Sequence, residues 1–159
     1  NMYLTSLTTP IECEELGEDE WCDVQEYEFR LWQPGVYSEI IDDPIASNGG
    51  AARMPGNHTE WAIKAQLTEY LTGSWRVYIV VRVEPNATNG DAFSMGVYDS
   101  INKRTVVKNV VDIQNSTSDV YTTYDLGVFE LKGKYIFIAP PGGTGIDSVY
   151  VDRIFITVQ

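Results

Sequence analysis

Almost every apolar run in this chain is short and alternates with polar residues, and clusters of turn formers separate the runs. Trp61, Ile63, Ala65 and Leu67 share one parity; Trp75, Val77, Ile79, Val81 and Val83 share another, with Tyr78 and Arg82 opposite. A period of two is the signature of a strand with one buried face. The first run leads to Leu71-Thr-Gly73-Ser and the second to Glu84-Pro-Asn-Ala-Thr-Asn-Gly90, both rich in turn residues. Phe93–Tyr98 and Thr105–Ile113 read as a pair across Ser100–Arg104. Tyr121–Leu126 and Val128–Leu131 precede Lys132-Gly-Lys, Tyr135–Ala139 stops at Pro140-Pro-Gly-Gly, and Val149–Val158 closes the chain. Helical period is nearly absent, its one candidate being a short turn around Asp42–Ala46. Roughly seven to ten strands with turns about every 8–12 residues predict an all-β chain, folded as a two-sheet antiparallel β-sandwich. By the same parity argument, Trp61 and Trp75 are expected in the core.

With 159 residues the chain is expected to form one domain, residues 11–159, large enough to bury a core without staples, with residues 1–10 as a tail or edge strand. Its formal charge of −12, from 23 acidic against 11 basic residues, argues against nucleic acid or an anionic membrane as partner. No apolar stretch is long enough to span a bilayer. The start at Asn1, without a signal peptide, reads as a mature protein or an excised module. Cys13 and Cys22 could close a small loop in a secreted chain, worth up to roughly 2–3 kcal/mol; the alternative is that Cys13 is a small buried residue. Three acceptor triplets, at Asn57, Asn86 and Asn115, mark surface loops and matter chemically only in a eukaryotic secretory pathway.

The first strand-like run carries Glu12 and Glu14 on either side of Cys13. On a strand they project to one face, about 7 Å apart, and two like charges so placed call for something positive between them. Asp152 interrupts the last strand-like run. If first and last strands pair, three carboxylates converge, a set suited to a hard cation such as calcium. The alternative leaves the glutamates on a solvent-facing edge and pairs Asp152 with Arg153 or Arg53.

The ordered set Ile11-Glu-Cys-Glu14, Ala46-Ser-Asn-Gly-Gly-Ala-Ala-Arg-Met-Pro-Gly56, Trp61-Ala-Ile-Lys-Ala, Gly73-Ser-Trp-Arg-Val-Tyr-Ile and Tyr150-Val-Asp-Arg-Ile-Phe-Ile resembles the calcium-binding jelly-roll carbohydrate-binding modules, families 6 and 35 in particular. The segments 119–127, 135–142 and 149–155 are similar to modules appended to large bacterial glycan-processing proteins. The resemblance spans roughly residues 11–158. It implies a jelly-roll sandwich whose first and last strands are neighbours. It also implies a structural calcium held by Glu12, Glu14 and Asp152, with a backbone carbonyl from the Ser47–Arg53 segment, fastening the termini. Cys13 stands where the family has a small alanine, and the Gly17–Ile41 stretch is longer than in a minimal member.

Sugar rings are recognised by an aromatic platform with a few polar side chains, carried on the loops of a rigid sandwich. The ligand-binding candidates are Trp32, set before the Gln33-Pro-Gly35 turn, with Tyr37, Arg53, Asn57, His58, Asp147 and Tyr150. Each has a plainer reading: packing for Trp32, an acidic partner for Arg53, a solvated surface position for His58, the sheet face of Asp152 for Tyr150. A glycosidase needs two carboxyl groups facing across a cleft, and a single histidine with no nucleophile-elbow or zinc motif leaves hydrolytic triads unsupported. The expectation is therefore a non-catalytic, monomeric, secreted carbohydrate-binding module. It would tether a covalently linked glycan-degrading catalytic domain to polysaccharide. A calcium-stiffened structural or protein-interaction sandwich and a small jelly-roll lyase or hydrolase are the alternatives.

Overall fold

A computed structural model describes residues 21–24, 30–31, 33–47, 49–66 and 72–158, the first two segments as backbone only. Glu12, Cys13, Glu14, Trp32 and the expected tail 1–10 lie outside the described residues, as does any pairing of Cys13 with Cys22. Among the described residues eleven strands run in order: β1 (Trp21–Val24), β2 (Arg30–Leu31), β3 (Glu39–Asp42), β4 (Gly50–Pro55), β5 (Ile63–Gln66), β6 (Ser74–Pro85), β7 (Asp91–Asp99), β8 (Arg104–Asp112), β9 (Thr122–Glu130), β10 (Lys134–Ala139) and β11 (Ile146–Val158). Among the described residues the one helical element is a 3-10 turn, Ile113–Asn115, whose start is capped by the Asp112 carboxylate.

The strands form two antiparallel sheets. One has the order β3-β4-β11-β6-β9, with β1 also on β11; the other has the order β2-β5-β10-β7-β8. Their inner faces make one core. Ala52, Met54, Val77, Ile79, Val81, Val83, Val149, Val151, Ile154 and Ile156 come from the first sheet, and Ile63, Ala65, Phe93, Met95, Val97, Ile136 and Ile138 from the second. This is the expected two-sheet sandwich, with alternate residues of each strand buried between the layers. Trp75 lies in that core, as its parity predicted, and its indole nitrogen donates to the Thr72 carbonyl at 2.9 Å.

Two of the register shifts in the sheets bear on the sites described below. The 121–131 stretch, expected as two strands, is the single strand β9, broken in register opposite Val77 and Tyr78, where Gly127 adopts φ +121°. That backbone conformation suits glycine, and the extra residue gives a bulge. A second register shift falls between Val151 and Arg153 of β11. It inserts Asp152 and switches the inward parity from Val149 and Val151 to Ile154 and Ile156.

The last strand does meet an early one. β1 pairs with β11 from Trp21 opposite Thr157 to Val24 opposite Ile154, while β4 pairs with the same edge of β11 from Ser148 to Val151. Asp152 and Arg153 occupy the step between those two partners.

Candidate functional site

The outer face of the five-stranded sheet is aromatic. In β10 the inward positions are Ile136 and Ile138, so Tyr135 and Phe137 face out. Register places Tyr98 of β7 beside Tyr135, and Gly96 beside Phe137. Gly96 has no room for a side chain: a Cβ there would lie 2.2 Å from the Val107 carbonyl oxygen and 2.4 Å from the Phe137 ring. The Phe137 ring therefore lies flat on the sheet, and Trp61 lies on it, centroids 4.1 Å apart and planes 15° from parallel. Tyr98 and Tyr135 flank the indole at 5.3 and 6.0 Å, both edge-on. Phe137 is wholly buried beneath this lid, whereas Trp61, Tyr98 and Tyr135 are half-exposed.

Trp61 is thus not a core residue, which corrects its expected place. Strand β5 begins at Ile63, so the alternation that fixes Ile63 and Ala65 inward does not extend back to position 61. A signal for this face was present in Tyr135-Ile-Phe-Ile, where an aromatic parity opposes an aliphatic one; a strand apolar on both parities has two faces to cover.

Two hollows adjoin the indole. The larger, about 240 Å³, is lined by Thr59, Glu60, Trp61 and Lys64. The smaller, about 100 Å³, takes its walls from Thr59, Trp61, Asp91, Ser94, Lys108 and Pro140 among others. The Lys64 ammonium stands 5.7 Å from the centre of the Tyr135 ring.

The segment leading to Trp61 is pinned by His58. Its Nδ1 accepts from the Glu60 backbone N–H at 3.1 Å, so Nε2 carries the proton and donates to the Tyr37 carbonyl, also at 3.1 Å. The Tyr37 and His58 rings sit 4.7 Å apart. Burial holds the imidazole below its usual pKa, against the opposing pulls of the Tyr37 carbonyl and the Glu60 charge. Asn57 is exposed beside it, on the turn after β4.

The remaining loop candidates gather on the outer side of the other sheet. Arg53 donates through Nε to Ser148 Oγ at 2.8 Å and pairs with Glu39 at 2.9 Å, and Ser148 Oγ donates to Asp147 Oδ2 at 3.2 Å. Tyr150 is buried on that face and donates to Glu84. The structure therefore groups Tyr37 with His58 and Arg53 with Asp147, and sets both groups apart from the aromatic face except where residues 58–60 lead to Trp61.

Next to Tyr150 lies a buried ionic network that sequence reasoning missed. Arg82 pairs with Asp43 at 2.9 Å, its guanidinium 3.9 Å from the centre of the Tyr150 ring. Tyr121 donates to Asp43 Oδ2 at 2.7 Å. Burial alone would raise the Asp43 carboxyl, but hydrogen bonds from Tyr121 and Arg82 hold it below its usual value. Burial and the Asp43 bond push the Tyr121 hydroxyl up. These partners are far apart in sequence, which is why no spacing betrays them.

Asp152 is 5% exposed, and its carboxylate receives Ser47 N–H at 3.0 and 3.1 Å and Ser47 Oγ at 2.9 Å. Burial raises its pKa against those bonds. Among the described residues no three acidic, histidine or cysteine side chains come together as a cation site. The chemistry of Asp152 fits one ligand of such a site: a buried carboxylate with two oxygens, about four acceptor positions, and two donor groups of Ser47 engaged.

No family model and no curated protein sequence matches the chain. Solved structures do. The family 35 carbohydrate-binding module from Clostridium thermocellum is 15% identical over 96% of this chain and 100% of its own, with a TM-score of 0.58. The CBM36-1 domain of a multidomain xylanase from the hindgut metagenome of Trinervitermes trinervoides is 14% identical, covering 88% of this chain and 98% of its own, TM-score 0.58. The Podospora anserina GH26-CBM35 β-(1,4)-mannanase is 12% identical over 89% of this chain, TM-score 0.57. This chain spans 28% of that mannanase chain and 29% of a matching two-module xylanase. At these identities the likeness is one of fold, and the fold is the jelly roll of the carbohydrate-binding modules of families 22, 35 and 36.

Proposed function

We propose that this domain is a non-catalytic carbohydrate-binding module whose ligand lies across the outer face of the five-stranded sheet, with Trp61 as its platform. The observation that carries this is the Gly96–Phe137–Trp61 stack. A rigid indole, held flat by a buried ring and flanked by two tyrosines and two hollows, offers an apolar plane of the kind that packs on the C–H face of a sugar. The loop candidates Tyr37, Arg53, His58 and Asp147 are engaged with one another or with Glu39 and Ser148, which favours the sheet face over the loops. The names of the structural neighbours, carbohydrate-binding modules among them, support the same reading. An open site of this kind binds with micromolar to millimolar affinity, and its use would be to raise the local polysaccharide concentration for a covalently linked catalytic domain. The reading includes secretion and a monomeric state.

A structural calcium belongs to the proposal as well. Asp152 would be one ligand, with Glu12 and Glu14 the others; bound there, the ion would neutralise the buried carboxylate at the step in the β11 edge.

Affinity electrophoresis through gels containing soluble polysaccharides tests the binding site. Wild-type protein and an Arg76→Gln control on the opposite sheet are expected to be retarded on at least one polymer, and Trp61→Ala is expected to run freely. Equal retardation of Trp61→Ala would move the site elsewhere. Absence of retardation on a broad panel would favour a structural or protein-interaction role.

A further inference from the structure

We infer that the ligand of the aromatic face is an uncharged glycan of at least two sugar units, crossing Trp61 with one unit in each hollow. This rests on the carbohydrate-binding reading above and adds the chemical class of the ligand. The two hollows share Thr59 and Trp61 as walls, so they adjoin at the indole and are the two halves of the proposed groove. A ligand that packs on the indole and fills only one half leaves the other half unused; a chain crossing it uses both.

The charged lining has the same composition in each half. Glu60 and Lys64 line the larger half, Asp91 and Lys108 the smaller. Each half thus presents one ammonium, which only donates hydrogen bonds, and one carboxylate, which only accepts them. A pair of neighbouring hydroxyls satisfies both, because every hydroxyl donates once and accepts as well. A sugar carboxylate satisfies only the ammonium and must stand near a like charge. The described side chains of the groove are therefore charge-balanced within a chain of formal charge −12, and among them no excess of positive charge offsets the overall repulsion of a polyanion. Glu60, Asp91 and Lys108 are exposed and Lys64 half-exposed. Water and salt screen such charges, leaving hydrogen-bond direction as their main contribution.

The test uses the full chain with uncharged β-linked xylan and mannan, with polygalacturonate, and with mono-, di- and tetrasaccharides of whichever polymer binds. Affinity gels and calorimetry at low and high salt give the readout. The expected result is retention by an uncharged polymer, with a Kd that changes less than about two-fold with salt and a disaccharide that binds at least about ten-fold tighter than the monosaccharide. Glu60→Gln, Asp91→Asn, Lys64→Gln and Lys108→Gln are each expected to weaken binding by about five- to ten-fold, with thermal unfolding confirming that each variant is folded. Retention on polygalacturonate that fades with salt, with lysine variants weakened and carboxylate variants strengthened, would overturn the inference while keeping Trp61 as the platform. A monosaccharide as tight as a disaccharide would overturn the two-unit groove. Binding that survives Trp61→Ala would overturn the site itself, and with it this inference.

Discussion

Trp61 stacks on Phe137 at 4.1 Å, and the wholly buried Phe137 ring rests in turn on the backbone of Gly96. The height and tilt of the indole are therefore set three layers down, by the absence of a side chain in the middle of β7. Gly96→Ala puts a methyl group 2.2 Å from the Val107 carbonyl oxygen and 2.4 Å from Phe137 Cζ. Neither can move without disturbing the β7–β8 ladder or the stack, so the expected cost is about 1–3 kcal/mol, read as a lower urea midpoint. Glycan affinity is expected to fall as well. An unchanged midpoint would mean that the ring slides aside freely and that the platform is not rigid.

The single histidine of the chain makes stability depend on pH in a separable window. Burial lowers the His58 pKa in the folded protein relative to 6.5. The unfolded chain therefore binds the proton more readily, and stability rises with pH where the two states differ. The contribution of the neutral ring is fully present above about pH 6.5 and is lost as pH falls through the lower folded-state value. Protonation at Nδ1 removes the acceptor for the Glu60 N–H, so the segment before Trp61 is expected to loosen. The melting temperature is expected to fall between pH 7 and pH 5, and a His58→Gln variant to show a flatter profile. Identical profiles would remove His58 from this role.

Much of the sandwich was legible because burial between two sheets imposes a period of two. The parity of Trp75, Val77, Ile79, Val81 and Val83 in β6 is the parity of the core. The parts that escaped are those where parity stops or changes. Trp61 precedes its strand and so follows no alternation, and Asp152 is the inserted residue of a bulge that reverses the inward set in β11. The Asp43–Arg82–Tyr121 network joins residues 39 and 78 positions apart, and sequence spacing carries no trace of such contacts. The proposed metal ligands Glu12 and Glu14 lie outside the described residues.

Asp43 is the anchor of that network, at 3% exposure, and takes bonds from Arg82, Tyr121 and the Ile45 N–H. Its replacement by alanine leaves a guanidinium and a phenol hydroxyl without their shared acceptor on a face with little access to water. Removing one member of a buried ion pair typically costs about 3–5 kcal/mol. Asp43→Ala is expected in that range by urea unfolding, against less than about 1 kcal/mol for Asp125→Ala, whose pair with Arg76 is exposed. Equal effects would show that the Asp43 network is as well solvated as the Arg76 pair.

Asp152 sits at the one step in the β11 edge, between the end of β4 at Val151 and the start of β1 pairing at Ile154. A carboxylate so buried, with a pKa raised by that burial and Ser47 as its hydrogen-bond donor among the described residues, gains from any cation that completes its shell. An ion that binds only the folded state stabilises it by mass action. Chelation with EDTA is therefore expected to lower the melting temperature by several degrees, and added calcium to restore it, more fully than magnesium, because calcium accepts irregular oxygen sets whereas magnesium demands near-ideal octahedral geometry. Asp152→Asn is expected to start at the lower temperature and to respond to neither treatment, and Glu12→Gln with Glu14→Gln to behave the same way. If chelation leaves the melting temperature unchanged and the purified protein carries no metal, Asp152 is a structural acceptor for Ser47 alone, holding the loop between β3 and β4 against the last strand.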